Sequence, residues 1–407
     1  MKLSWNWLNE YIDLRNYRPE EIANVLTMKS CEVEGVEEFL PHLDDILVAE
    51  VKSVKKHPNA DKLVICEVFD GKETLQIVTG APNVEDSKKY PLAKIGVTLP
   101  NGLTMKKAKL RGVESYGMLC SAEEIGLEDF ILPESPEYGI LPLPQELTVG
   151  TSLRTAWNLA DVILDIDNKS ITHRPDLWSH YGFARELSAI LDLPLKNRPE
   201  EIQINCATFE PDKPIKVEME KGSAIAYCNA QFRQVHIQPS SIFMQARLLA
   251  CGMRPINNVV DASNYVMLAM GQPNHAFDLD KLTGPIQINF SKEGEILKTL
   301  DGQERKLPAG LVLIRDNSVP VALGGVMGGE TTEVSEDTKE LFFESACFYR
   351  KDIRKAVSQL GIRTEASARF EKGQTPVNAP IAIRMFANLL LKTCPSLEMS
   401  DIQEQYN

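Results

Sequence analysis

The first apolar residues of the chain, Leu3, Trp7, Leu8, Tyr11 and Ile12, recur at helical spacing. Residues 1–39 read as a short helical unit that closes in a mixed stretch around Cys31 to Val36. From Ile46 the texture becomes that of strands. The run Leu63 to Val68 meets an Asp70-Gly71 turn, Leu75 to Thr79 continues beyond it, and Asn101-Gly102 marks a second tight turn. Short strands with no sustained helical period predict a small β-barrel of the OB kind over this region. Helical spacing returns after about residue 152, where Leu177, Tyr181, Ala184, Leu187 and Leu191 fall on one face. Pro199, Pro211 and Pro214 among polar residues make 196–214 read as a linker. Beyond it, Ser241 caps a helix from Ile242 to Cys251 that Gly252 closes. Strands surround Asp301-Gly302 and cover Leu311 to Ile314, and a last helix spans Ala379 to Lys392. No internal repeat is present.

The expected fold class is therefore α+β and multidomain. A helical and mixed unit, 1–39 plus 153–196, is interrupted by a barrel at 40–152. A second α+β domain follows at 213–396, and 397–407 reads as a linker. At 407 residues the chain is too long for one ordinary core. Its composition, 43% apolar and 25% charged, is that of a soluble globular protein. The eight cysteines are scattered singly, with no Cys-x-x-Cys pair, which predicts reduced thiols, no zinc site and no other metal site. The N-terminus lacks the apolar core of a signal peptide, and no segment has the apolar length to cross a bilayer, so a cytoplasmic protein without membrane contact is expected.

Candidate chemistry is concentrated in the last domain. Gly271-Gln272-Pro273-Asn274-His275-Ala276-Phe277-Asp278 sets an imidazole between a proline-stiffened turn and an apolar patch. A glycine cluster follows, Gly324-Gly325-Val326-Met327-Gly328-Gly329; with no Lys-Ser or Lys-Thr behind it, it is weak as a phosphate loop. Glu344 follows Phe342 and Phe343 inside an apolar run, and a carboxylate there is costly unless something hydrogen-bonds it. Gly361-Ile362-Arg363-Thr364-Glu365-Ala366-Ser367 completes the set, which together predicts a deep, selective pocket.

The net charge of −13 argues against indiscriminate nucleic-acid binding, but position matters more. Between Ser87 and Val113 stand Lys88, Lys89, Lys94, Lys106, Lys107, Lys109 and Arg111, and no acid. Such a run is either a solvated face or a track for a phosphate backbone. His57-Pro58-Asn59-Ala60-Asp61-Lys62-Leu63, Val78-Thr79-Gly80-Ala81-Pro82-Asn83 and the stretch from Lys107 to Ser121 resemble the tRNA-binding OB domain, which favours the second reading.

The order of segments, with Asn168-Lys169-Ser170-Ile171-Thr172-His173-Arg174-Pro175-Asp176 as a variant of a Pro-Asn-Arg-Pro-Asp motif, resembles the N-terminal half of the bacterial phenylalanine–tRNA ligase β subunit. The resemblance implies that the last domain is the family's B3/B4 editing domain, which hydrolyses tyrosine wrongly esterified to phenylalanine tRNA. Carried over by position, Arg254, Asn264, His275 and Glu344 are implied catalytic residues. Ser263, Gly328, Thr364 and Ala366 are implied to line the substrate pocket. Ser263 stands where the family often has threonine, and Asn274 where methionine is common. The seven basic residues above are implied tRNA contacts. The implied partners are tRNA(Phe) and the α subunit of an (αβ)2 enzyme. No cofactor is expected in this chain, ATP and magnesium serving the complete enzyme. The rest of the β subunit lies outside this sequence, so this chain alone is expected at most to be an aminoacyl-tRNA ester hydrolase. The alternative is a non-catalytic tRNA-binding and scaffolding piece with a vestigial pocket.

Overall fold

The computed structural model describes residues 1–133 and 136–407. Two compact units result: 1–36 with 164–240 and 251–407, and 37–163 with 241–250. The chain starts in strand β1 (Lys2–Ser4) and helix α1 (Trp5–Tyr11). The Ser4 hydroxyl accepts from Trp7 N–H at 3.0 Å, so the helix begins after Leu3 and not at it. Helix α2 (Pro19–Lys29) and strand β2 (Val33–Phe39) follow.

The barrel unit contains β3 (Ile46–Lys56), β4 (Val64–Phe69), β5 (Thr74–Thr79), β6 (Lys89–Lys94), the hairpin β7 (Ala108–Leu110) and β8 (Val113–Ser115), and β9 (Gly117–Leu119). The sheet order is β5-β4-β3-β6-β9. Tyr116 N–H donates to Gln76 O at 2.9 Å and Val78 N–H to Ser115 Oγ at 3.0 Å, which curls the sheet nearly shut around Val51, Val68, Ile77 and Leu92. The closure needs a glycine: a Cβ on Gly117, at φ 149°, would lie 2.7 Å from Ala93 O. Helix α3 (Leu153–Ala156) leads to β10 (Asp161–Ile166), and β1-β10-β2 form a small sheet.

Helix α4 (His180–Leu191) starts later than the apolar pattern predicts, because Ser179 Oγ accepts from Gly182 N–H and caps it. Its buried face is His180, Phe183, Ala184 and Leu187, while Leu177 lies in a preceding 3-10 turn. The rest of the chain runs through β11 (Ala207–Thr208), β12 (Val217–Met219), β13 (Ala226–Arg233), α5 (Ile242–Ala250), α6 (Asn258–Met270) and β14 (Asn274–Asp278). Next come β15 (Ile286–Phe290), the hairpin β16 (Glu295–Lys298) and β17 (Glu304–Leu307), β18 (Val312–Asp316), β19 (Val319–Leu323), β20 (Met327–Gly328) and β21 (Leu341–Cys347). Helices α7 (Arg350–Leu360), α8 (Glu365–Phe370) and α9 (Asn378–Leu390) precede β22 (Glu398–Met399) and β23 (Gln403–Tyr406).

One sheet runs β11-β22-β13-β21-β14, and a second β12-β15-β18-β19-β20. Strand alternation divides the first sheet into two faces. On one, Phe232 and Phe343 pack on Phe386 of α9, the latter two stacked at 3.8 Å. On the other, Tyr227, Phe277 and Phe342 share a core with Ile288, Val312, Ile314 and Leu323 of the second sheet. Two sequence expectations fail here. Residues 397–407 are no linker, since β22 and β23 pair with β13 through Phe232↔Met399 and Asn229↔Gln403. An open β13 edge would leave N–H and C=O groups without partners, and polar Gln403, Glu404 and Gln405 complete that ladder despite their linker-like composition. The supposed linker 196–214 likewise contains β11, which pairs in parallel with β22. Helix α5 packs with the barrel unit, where Gln245 bonds both the N–H and C=O of Ile131.

Candidate functional site

Three adjacent strands set a polar row across the sheet. Register places His275 on β14 opposite Glu344 on β21, and Glu344 opposite Asn229 on β13. All three therefore point to the face that meets the second sheet. Tyr227 lies on the same face, diagonal to Glu344, and its hydroxyl donates to Glu344 Oε2 at 2.6 Å. Burial pushes the Glu344 carboxyl up to about 7, and the Tyr227 hydrogen bond opposes that rise. The phenol of Tyr227 is raised well above its usual value, by burial and by the carboxylate beside it.

His275 is only partly exposed, and its Nε2 is shut from solvent without a hydrogen-bond partner. Burial lowers its pKa to about 4, so the imidazole is neutral near pH 7. The ring stands edge-on to Phe277, centroids 4.5 Å apart. Gly328 makes room for it: a Cβ there would lie 2.5 Å from His275 Cε1. A cavity of about 90 Å³ opens at this point, its lining including Asn274, His275, Met327, Gly328, Glu344 and Ala366.

Of the eight candidate pocket residues, His275, Glu344, Gly328 and Ala366 thus meet at one cavity. Two others act on its wall. Ser263 Oγ bonds Asn274 Oδ1, tying α6 to β14, and Thr364 Oγ1 donates to Val326 O at 2.8 Å while capping α8. Arg254, exposed before α6, and Asn264, on α6, do not line the cavity. Tyr227 escaped the sequence reading, because nothing local links it to a glutamate 117 residues away. The glycine cluster is a packed turn and not an anion cradle. Cβ atoms on Gly324 and Gly325 would meet Val312 and Ile353 at 2.8 and 2.6 Å, leaving no space for a phosphate. Among the described residues no group of three or more His, Cys, Asp or Glu is placed to hold a metal, and no helix is long and apolar enough to cross a membrane.

The basic run divides. Lys88, Lys106, Lys107, Lys109 and Arg111 are exposed, the last four on or beside the β7–β8 hairpin. The hairpin turn is held by the His57 loop: His57 Nε2 bonds Leu110 O at 3.1 Å, and Asn59 Nδ2 donates to Arg111 O at 3.2 Å. Lys107 Nζ lies 2.8 Å from Glu114, which follows the run and folds back beside it, and 5.0 Å from the centre of the Tyr116 ring. Lys89 and Lys94 depart from the expected role. Lys89 Nζ donates to the carbonyls of Gln145 and Leu147, and Lys94 Nζ bonds buried Asp70 at 2.6 Å and Glu73 at 3.0 Å. Both ammonium groups are thus engaged by acceptors of their own unit.

Comparison with known proteins fits this arrangement. A family model described as B3/4 domain matches residues 224–395, and one described as putative tRNA binding domain matches 46–152. The phenylalanine–tRNA ligase beta subunit of Leptospira borgpetersenii is 42% identical over 98% of this chain and 50% of its own length. That of Leptospira biflexa is 44% identical over 92% of this chain and 46% of its own. The chain belongs to the phenylalanine–tRNA ligase beta-subunit family. It spans about half the length of these relatives. A solved N-terminal fragment of the phenylalanyl-tRNA synthetase beta subunit from Pyrococcus horikoshii aligns over 61% of this chain and 67% of its own, at 15% identity and a TM-score of 0.34. Within the family frame, the His275–Glu344 cavity lies in the B3/4 match and the basic hairpin in the tRNA-binding match.

Proposed function

We propose that this chain binds tRNA(Phe) through its barrel and hydrolyses tyrosine from it in the cavity of its B3/4 domain, as part of a phenylalanine–tRNA ligase. One observation carries the reading. His275 and Glu344 stand in direct register at the wall of a cavity that Gly328 keeps open. Phenylalanine and tyrosine differ by one hydroxyl, which an ionised carboxylate accepts strongly. Glu344 Oε1 takes that hydroxyl, Oε2 being already bonded to Tyr227. With phenylalanine bound, the same oxygen stays desolvated and unmatched, so the site favours the ester of the wrong amino acid. His275 is neutral and its Nε2 has no hydrogen-bond partner within the chain, which leaves that nitrogen to bond the ester or a water once substrate enters and the ring shifts. An ester next to a ribose hydroxyl needs little more than a positioned water, so proton abstraction is not assigned to the imidazole.

Ser263 and Thr364 serve by fixing Asn274 and Val326 of the lining, and Ala366 leaves room for the ring. Arg254 and Asn264, outside the cavity, hold the terminal adenosine. In the barrel Lys88, Lys106, Lys107, Lys109 and Arg111 meet the tRNA backbone. The reading divides the chain into 1–39 with 153–196, 40–152 and 213–396, with β22 and β23 completing the sheet of the last part and α5 packing with the barrel. Its partner is an α subunit that completes an (αβ)2 enzyme and uses ATP and magnesium in the cytoplasm. The test is deacylation of tyrosyl-tRNA(Phe) and phenylalanyl-tRNA(Phe) by the purified chain. Hydrolysis of the tyrosyl ester alone is expected, and Glu344→Gln should reduce the preference by about 1–3 kcal/mol. No hydrolysis of either ester would leave a tRNA-binding scaffold.

A further inference from the structure

We propose that Tyr227 is a positioning residue for specificity: its hydroxyl pins one oxygen of Glu344 within the sheet and thereby presents the other to the phenol of the bound tyrosyl ester. The inference rests on the editing reading for its substrate, and on geometry for the rest. A glutamate side chain on a strand can swing through several rotamers, and each different placement of the carboxylate would give a different reach into the cavity. Here one oxygen is fixed by a bond of 2.6 Å from a side chain that is fully buried in the core with Phe277 and Phe342. The tyrosine ring cannot turn away, so the carboxylate cannot either. What the bond leaves to the substrate is a single acceptor oxygen with a fixed direction.

The bond also decides the charge of that acceptor. Burial drives Glu344 toward the neutral acid, and the Tyr227 donor acts against it. The titratable groups facing this carboxyl are Tyr227 on β13 and His275 on β14. The second sheet offers apolar Ile314 and Ala322 to the same cavity. His275 carries no proton near neutrality, so the phenol is the group that opposes the rise caused by burial and holds the carboxyl at about 7, where it is partly ionised at neutral pH. Without it, Glu344 at pH 7 becomes a neutral acid, whose weaker acceptor oxygen distinguishes tyrosine poorly.

Tyr227→Phe tests this, because it removes one oxygen and keeps the ring. In the chain labelled with carboxyl-13C glutamate, with the Glu344 signal assigned by its loss in Glu344→Gln, the titration of Glu344 should move up by about one pH unit in Tyr227→Phe. Hydrolysis of tyrosyl-tRNA(Phe) should fall about fivefold at pH 7, as the ionised fraction of Glu344 drops from about one half to about one in eleven, and recover toward the parent at pH 8.5, where the carboxyl ionises again. A role confined to packing would leave the Glu344 titration unmoved and lower activity equally at both pH values, whereas loss of the bond moves the titration and makes the loss larger at pH 7 than at pH 8.5. If Tyr227→Phe does not fold, 3-fluorotyrosine at 227 retains the bond with a more acidic donor and should move the Glu344 titration down. An unmoved Glu344 titration in the folded variant overturns the proposal. A parent chain that hydrolyses neither ester sinks the editing reading and with it the specificity role, while the carboxyl titration still decides whether Tyr227 governs Glu344.

Discussion

The imidazole of His275 sits against the place where a side chain on residue 328 would begin: a Cβ on Gly328 would be 2.5 Å from its Cε1 and 2.8 Å from its Nε2. The same Cβ would be 3.0 Å from Leu300 Cδ1, so the ring has little slack on that side. The missing side chain of one residue is thus the seat of the other. That gives the glycine a role in the cavity beyond the turn it belongs to.

Gly328→Ala should therefore displace the imidazole before it disturbs the backbone. Overpacking by one methyl in a closed site costs roughly 1–3 kcal/mol. Hydrolysis of the tyrosyl ester should drop at least about tenfold, the equivalent of roughly 1.4 kcal/mol, with a smaller change in the unfolding midpoint. Deacylation rate and urea denaturation measured together check this. An alanine variant with the parent rate would mean that the position of His275 is immaterial.

The pair His275 and Glu344 also makes a prediction about pH. His275 titrates at about 4 in the folded chain against 6.5 for the free group, so the unfolded chain takes up the proton first and stability is lost as pH falls from 6.5 to 4. Glu344 titrates at about 7 against 4.5, so its contribution is present below 4.5 and lost as pH rises to 7. The two slopes oppose each other between 4.5 and 6.5, each reaching at most about 1.4 kcal/mol per pH unit. The pair nearly cancels in the parent, and each single substitution uncovers the other slope. Relative to the parent, Glu344→Gln should gain stability as pH rises through this window and His275→Gln should lose it. Unfolding midpoints at pH 4.5, 5.5 and 6.5 measure both differences. Differences of the same sign would contradict the buried states assigned here.

How much of this was legible in the sequence depends on what kind of contact is asked for. The Asp70-Gly71 and Asp301-Gly302 turns, and the Ser241 start and Gly252 stop of α5, were readable because local chemistry decides them. Residues 397–407 were not, because the need that makes them strands belongs to the β13 edge, far away in sequence. The same limit applies to the site. Glu344 stood out as an acid in an apolar run, and Gly328 was marked out from its glycine cluster only by the family resemblance, but the register that sets Glu344 opposite His275 is a property of strand pairing. Tyr227 looked like any strand aromatic, and its bond to Glu344 exists only across that pairing. Among the basic residues, charge was readable and engagement was not. Lys94 and Lys109 differ only in what the fold brings near them.

That difference separates stability from binding within one run of lysines. Asp70 is buried, which alone would raise its carboxyl, yet Lys94 Nζ and the N–H groups of Glu73 and Lys72 hold it down at about 2. Replacing Lys94 leaves that charge enclosed with one partner fewer. Lys94→Met should therefore destabilise the barrel unit, by about 1–3 kcal/mol since the lysine is itself a third exposed. Its effect on the salt dependence of tRNA binding should be negligible. Lys106, Lys107 and Lys109 are exposed, and replacing each by Gln should change the unfolding free energy by no more than about 0.5 kcal/mol. Replacing all three together should weaken tRNA binding and flatten the plot of log affinity against log salt by about 0.7–0.9 for each phosphate that is no longer neutralised. Lys107 should contribute least, because Glu114 already offsets its charge. Filter binding of tRNA(Phe) across a salt series, beside urea denaturation of each variant, reads both effects. A Lys94→Met chain that folds normally but loses its salt slope, or a triple variant that keeps the full slope, would reverse the assignment of these lysines.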